Sequence, residues 1–276
     1  MSNVNKLLKT LEDKGYHRLL SKIILFMYKL KGKDARSVKY ISEYRVWEFQ
    51  IGEEYYYSTG PGWVYDYDYL VTEFSTHLGF HYLPIDGDCV VDVGAGVGEE
   101  LMIFSKRVGV NGKVFAIEAH PNTYSALVYN HDRNKLENVI TLNVAIADLA
   151  GSIFIEDTQN SLANKISKEQ QGQGFEVKSI TIAELVMQHN IKQIDFMKVN
   201  IEGAEQLLIK GIGDAIYKIK NMAISCHDFR YKNEGIEFFK TKELVLEFLR
   251  DNNFECVTRN TGNPLLDDYV YAFPKN

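Results

Sequence analysis

Cysteine is scarce. Cys89, Cys226 and Cys256 stand far apart in a chain of 276 residues. They form neither a disulfide framework nor a CxxC metal spacing, and point to buried thiols in a reducing, cytoplasmic setting. Basic charge is also in deficit, with 31 Lys and Arg against 37 Asp and Glu for a net charge of −6. That balance argues against nucleic acid as a partner, since a binder of phosphates presents a basic face. Long apolar runs are missing as well: Ile23–Tyr28 is too short to span a bilayer, and no secretory signal opens the sequence. What is present, 45% hydrophobic and 25% charged residues, belongs to an ordinary globular protein with a sizeable core. The length suits one α/β domain carrying an N-terminal extension.

The extension covers residues 1–84 and the main domain residues 85–276. From Asn5 to Leu30 apolar residues recur at helical spacing (Leu8, Leu11, Leu19, Ile23, Phe26, Met27, Leu30), with Lys6, Lys9, Lys14, Arg18, Lys22 and Lys29 between them. Such a helix packs on the main domain, joins two subunits in a homo-oligomer, or rests its basic amphipathic face on a membrane surface. Residues 40–85 concentrate aromatics, Tyr55, Tyr56, Tyr57, Trp63, Tyr65, Tyr67 and Tyr69, around a Gly60-Pro61-Gly62 turn. They fill a core or cap an acceptor pocket. Val71–Leu78 reads as a helix, and Glu169–Gly174 as an exposed loop.

Beyond residue 88 strands and helices alternate. Strands are expected at Cys89–Val93, Lys113–Glu118, Val139–Ala145, Ser152–Glu156, Ile194–Val199 and Asn221–Ser225, with a closing pair at Phe254–Thr258 and Tyr269–Phe273. Helices are expected at Glu99–Val108, Asn122–Lys135, Ile180–His189, Glu202–Lys210 and Thr241–Asn252. That rhythm implies a Rossmann-like, doubly wound, mainly parallel sheet covered on both faces.

Where the first of these strands meets its helix stands Asp92-Val93-Gly94-Ala95-Gly96-Val97-Gly98-Glu99. Glycines there allow a sharp bend and close approach of a ligand. The dinucleotide fingerprint GxGxxG is not met: the third glycine comes one place early, and Glu99 fills the place reserved for glycine or alanine. A carboxylate at that helix start repels a pyrophosphate but not S-adenosylmethionine, which has no phosphate. Asp92 would meet the donor's amino group, and Glu118, about 20 residues on, the ribose hydroxyls. Asn143, Ala145 and Asp148, after the third strand, are candidates for the adenine.

The chain resembles the FkbM family of methyltransferases in two segments, Val91–Gly98 and Phe196-Met197-Lys198-Val199-Asn200-Ile201-Glu202-Gly203-Ala204-Glu205. Similarity extends over about residues 85–230 and includes Ile117-Glu118-Ala119-His120-Pro121. The resemblance implies a class I methyltransferase domain that binds S-adenosylmethionine through Asp92, Gly94, Ala95, Gly96, Gly98, Glu118, Ala119 and Asn200. It also implies O-methylation of a sugar, polyketide or peptide hydroxyl, so that the partner is a small-molecule or glycan acceptor. Asn200 departs from the family's aspartate and cannot take up a proton.

Catalysis is expected at the carboxyl edge of the sheet, from Asn200, His227 and Asp228, with His227 as the base. The same three would be the ligands of a divalent ion; the reading without a metal is preferred. The alternatives are an NAD-dependent oxidoreductase and a non-catalytic binding protein that retains the fold.

Overall fold

The computed structural model describes residues 3–61, 66–156, 166–167 and 174–275. Gly62, Trp63 and Tyr65, and the expected loop at 169–173, lie outside the described residues.

The expected single N-terminal helix is two, α1 (Asn3–Asp13) and α2 (His17–Leu30). Gly15, at φ +74°, reverses the chain between them. An antiparallel meander follows that the sequence reading missed: β1 (Ala35–Ile41), β2 (Val46–Ile51) and β3 (Glu54–Ser58). Its centre, Val46 to Phe49, is buried on both faces, yet Trp47-Glu48-Phe49-Gln50-Ile51 alternates apolar and polar residues, a period-2 signal from which β2 was legible. Helix α3 (Tyr67–Thr76) begins on an Asp66 cap, whose carboxylate accepts from Tyr69 N, four residues before the expected start.

The main domain runs β4 (Cys89–Val93), α4 (Leu101–Val108), β5 (Lys113–Ile117), α5 (Pro121–Asn134), β6 (Val139–Leu142), β7 (Ala145–Ile146), β8 (Gly151–Glu156), β9 (Ile166–Ser167), β10 (Gly174–Ile180), α6 (Ile182–Gln188), β11 (Phe196–Val199), α7 (Glu205–Gly211), β12 (Met222–Ser225), α8 (Asp228–Glu234), α9 (Lys242–Asp251), β13 (Phe254–Thr258), α10 (Pro264–Asp267) and β14 (Tyr269–Pro274). Seven strands form one sheet in the order β13-β14-β12-β11-β4-β5-β6. From β6 to β12 neighbouring strands are parallel, and β14 and β13 close the edge antiparallel. This is the expected doubly wound sheet, and its order reverses between β4 and β11, where such folds bind ligands. Successive residues of β4 and β5 enter opposite cores: Val91, Val93, Phe115 and Ile117 on one face, Val90, Val114 and Ala116 on the other.

The second core does not stop at the main domain. It continues through Leu101, Phe104 and Phe196 into Phe74, Trp47, Phe49, Tyr28, Ile24 and Leu20 of the extension. One side of the basic N-terminal segment therefore packs against its own chain, and of the described tyrosines Tyr56 and Tyr57 are buried in core, Tyr55 and Tyr67 half-buried and Tyr69 exposed. Trp47 is fully buried and donates to Glu12 Oε1 at 2.6 Å. Tyr57 donates to buried Glu48 at 2.8 Å.

The expected third strand breaks at Asn143, whose amide donates to the Glu118 and Ala119 carbonyls at 2.9 and 3.0 Å. Past that break β7 pairs with β10, in a second sheet ordered β7-β10-β8-β9. Strand β10 and helix α8 went unforeseen.

Candidate functional site

Beyond the carboxyl ends of β4, β5 and β11 lies a cavity whose wall includes Gly94, Ala95, Gly96, Glu118, Ala119, Ala145 and Asn200. All seven were expected cofactor contacts. Gly94 is at φ +78°, and a Cβ there would stand 2.0 Å from the Asn200 carbonyl oxygen. Glycine at 94 thus sets how closely the loop approaches β11. Gly96, at φ +58°, has open space where its Cβ would be. Gly98 is off the wall; a Cβ on it would meet Asn130 Nδ2 at 2.7 Å, and Asn130 donates to the Val97 and Gly98 carbonyls. Its role is to join the loop to α5.

Glu118 ends β5 with both oxygens held by backbone: Gly96 N donates to one and His120 N to the other, each at 2.9 Å. Burial holds its carboxyl above the usual range. Each oxygen keeps a further lone pair for a ligand hydroxyl. Asp92 stands differently from expectation. It is fully buried behind the wall, with Oδ1 2.8 Å from Lys198 Nζ and with Oδ2 lacking a hydrogen-bond partner among the described residues. Burial lifts its pKa to about 6. Burial works against the Lys198 charge, but Asp92 and Glu100 outweigh it and raise its pKa, so the pair is ionised at neutral pH. Lys198 also donates to the Gly94 carbonyl at 2.7 Å. Lys198, and not Asp92, lines the cavity. Asn143 and Asp148 are likewise off the wall, which in this stretch is Val144, Ala145 and Ile146, joined by Ile155. Ile155 comes from the second sheet and could not be placed from sequence.

Glu99 and Glu100 precede α4 and face the cavity. Thr59, at the end of β3, lines it too and donates its N–H to Glu99 Oε1 at 3.3 Å. Burial, aided by the Glu100 charge, pushes the Glu99 carboxyl up to about 7. With Glu118 and Glu202, four carboxyl groups line the wall, while Lys198 spends its charge on Asp92. Such a wall suits a sulfonium cation and repels a dianionic pyrophosphate.

His227 is buried at the end of β12, with Nδ1 3.0 Å from Glu205 Oε1 and Nε2 3.3 Å from Glu202 Oε1. Burial alone would lower its pKa; the bonds and charges of the two glutamates outweigh burial and hold it at about 10. The ring is an imidazolium at neutral pH and has no lone pair with which to act as a base. Asp228 points elsewhere: its Oδ2 accepts from Thr241 N and Lys242 N at 3.0 and 2.8 Å, capping α9. Asn200, His227 and Asp228 therefore do not converge as a metal ion's ligands. Among the described residues no three His, Cys, Asp or Glu side chains gather as such a group.

Glu202, read from sequence as a first-turn helix residue, lies on the cavity wall. It has φ +53° and is followed by Gly203 at φ +96°, so α7 starts three residues later than expected. Besides His227, Arg230 Nη1 holds its Oε2 at 2.8 Å. Burial would raise its pKa, but His227 and Arg230 prevail and lower it. A bulky residue in left-handed backbone costs about 1–2 kcal/mol, and such strain persists where its surroundings over-determine it, often at functional sites.

Residues 92–256 match the methyltransferase FkbM domain. Hexuronic acid methyltransferase AglP of Haloferax volcanii is 28% identical over 142 residues, which are 51% of this chain and 57% of that protein. The match thus spans little more than half the length of that relative. Among solved structures, Aeropyrum pernix fibrillarin with natively bound S-adenosyl-L-methionine is 14% identical, covering 87% of this chain and 99% of its own, at a TM-score of 0.45. A SAM-dependent methyltransferase from Aquifex aeolicus is 18% identical over 76% of this chain and 88% of its own, at a TM-score of 0.41.

Proposed function

The chain belongs to the FkbM methyltransferase family; from that premise we propose that its methyl donor is S-adenosylmethionine and its acceptor a hydroxyl group of a small molecule or glycan, a sugar acid above all. The observation that carries this reading is Glu202. It is a carboxylate on the cavity wall in strained backbone, anchored from behind by His227 and Arg230.

When bound, S-adenosylmethionine supplies an electrophilic methyl group on a sulfonium, with the thioether as leaving group. The Glu118 carboxylate, held in place by the Gly96 and His120 N–H groups, would hold its ribose side, and the apolar Val144–Ile146 segment its adenine. Glu202 accepts the hydrogen bond of the acceptor hydroxyl and so aims an oxygen lone pair at the methyl carbon. As the C–O bond forms and the C–S bond breaks, that oxygen becomes strongly acidic. Its proton passes to Glu202 Oε and then to water. A carboxylate of lowered pKa is adequate for such a proton, and His227 and Arg230 keep it from turning away. Asn200, beside it on the wall, has an amide able to donate to the acceptor or the donor. The hexuronic acid methyltransferase relative supports a sugar acid as the first acceptor to try.

The test is calorimetric titration with S-adenosylhomocysteine, with NAD as comparison, followed by turnover assays on uronic acids and their glycosides. Glu202→Gln should leave binding of S-adenosylhomocysteine within about threefold and lower kcat by roughly 10²–10⁴-fold, the range a placed base contributes. A loss below tenfold would remove Glu202 from this role. Transfer to amines but to no hydroxyl would overturn O-methylation. NAD binding in place of S-adenosylhomocysteine would favour an oxidoreductase, and donor binding without transfer to any acceptor a binding protein.

A further inference from the structure

We propose that the outward face of α2 docks this protein on an anionic membrane surface. Helix α2 buries one side, Leu20, Ile24 and Tyr28, against its own chain. The side turned to solvent is not polar. Tyr16, Leu19, Phe26 and Leu30 are 53%, 48%, 62% and 71% exposed, and with half-buried Ile23 they follow one another in steps of three and four residues. That spacing makes a continuous apolar stripe on a helix. Exposed large apolar residues elsewhere in the described chain are scattered singly or nearly so, which is normal for a surface; five in one line are not.

The charge beside the stripe names its partner. Exposed Arg18, Lys22 and Lys29 stand one residue before Leu19, Ile23 and Leu30. They form a parallel row about 100° round the helix. Helix α2 has no acidic residue. From residue 3 to 33 there are eight basic residues and two acidic ones, Glu12 and Asp13, in a chain whose net charge is −6. The basic charge is thus gathered where the apolar stripe is exposed. A soluble partner with an apolar patch would need no such row, whereas an interfacial helix uses both, the stripe among acyl chains and the cations on anionic headgroups. No described helix is long and apolar enough to cross a membrane, so the contact proposed is a resting one.

The full chain should co-sediment with vesicles containing phosphatidylglycerol and not with pure phosphatidylcholine vesicles. Raising salt from 0.1 to 0.5 M should weaken that binding about tenfold or more, because the headgroup attraction is screened. Lys22→Glu/Lys29→Glu should cut it more than tenfold, and Phe26→Glu/Leu30→Glu should abolish it. Unchanged binding of S-adenosylhomocysteine by both variants will show that the fold is intact. The wild-type comparison of the two vesicle types needs no variant. Failure to bind anionic vesicles, equal binding to both kinds, or a solution dimer that Phe26→Glu/Leu30→Glu dissolves would overturn the proposal; the dimer would show that a second copy covers the stripe.

Discussion

Gly94 and Gly96, only two residues apart in sequence, make opposite demands. At Gly94 a Cβ would strike the Asn200 backbone, which cannot swing aside, whereas at Gly96 it would meet empty space. Both have positive φ. Gly96→Ala should therefore lose about 1–2 kcal/mol, the cost of left-handed backbone. Gly94→Ala adds overpacking of about 1–3 kcal/mol and forces β4 away from β11, so it should also lose S-adenosylhomocysteine binding. Urea denaturation and calorimetry on the two variants will show the contrast, and equal losses would refute the steric account. Glu99 offers a test by pH. Its folded pKa of about 7 lies above the ordinary carboxyl value of 4.5, so the folded state holds the extra proton between those pH values. Stability contributed by this group is then lost as pH rises from 4.5 to 7. Glu99→Gln should raise Tm at pH 8 and leave it nearly unchanged at pH 4.5. The same substitution should weaken donor binding at pH 8, where the lost charge faces the sulfonium.

Elements show how far local sequence speaks. The glycine loop, Glu118 and the five parallel strands were legible because buried strands and turn residues leave strong local patterns. Helix α6 could have been placed to the residue, since Thr181 and Glu184 form a reciprocal capping box. The split at Asn143 was not legible, because it depends on amide bonds to residues 24 and 25 positions away. The turn from Ile201 to Ala204 was misread for a similar reason: glutamate favours helix, and ion pairs reaching across from His227 and Arg230 hold Glu202 out of one. Position in sequence marked His227 as a base, while burial between two carboxylates makes it a fixed cation. Its pKa rises from the ordinary 6.5 to about 10 in the folded state. The stabilisation this gives is complete below pH 6.5 and lost as pH climbs through 10. Wild type should thus shed on the order of 3 kcal/mol between pH 7 and 10. His227→Gln should start lower and show a flatter profile in urea titrations across that range. A parallel decline in both proteins would place the pH sensitivity elsewhere.

At the scale of the molecule the question is whether the extension is a separate body. Composition divided the chain near residue 84, since the aromatic N-terminal third lacks the strand–helix rhythm of the rest. The packing does not respect that boundary. One apolar cluster includes Trp47 and Tyr28 of the extension together with Leu101 and Phe104 of α4 and Phe196 of β11, and Thr59 carries the meander to the cavity wall. Unfolding the extension alone would bare α4, the helix that follows the glycine loop, so the two parts should melt together. Trp47→Ala, which removes a fully buried side chain and the partner of Glu12, should cost about 3–5 kcal/mol. Calorimetry should show a single endotherm in wild type and one displaced endotherm in the variant. Saturating S-adenosylhomocysteine should raise the whole transition, because a ligand that binds only the folded chain stabilises everything that unfolds with its site. Two endotherms, with only the upper one responding to ligand, would mean that the meander and α2 form an independently folding unit and that Thr59 reaches the cavity from outside its cooperative core.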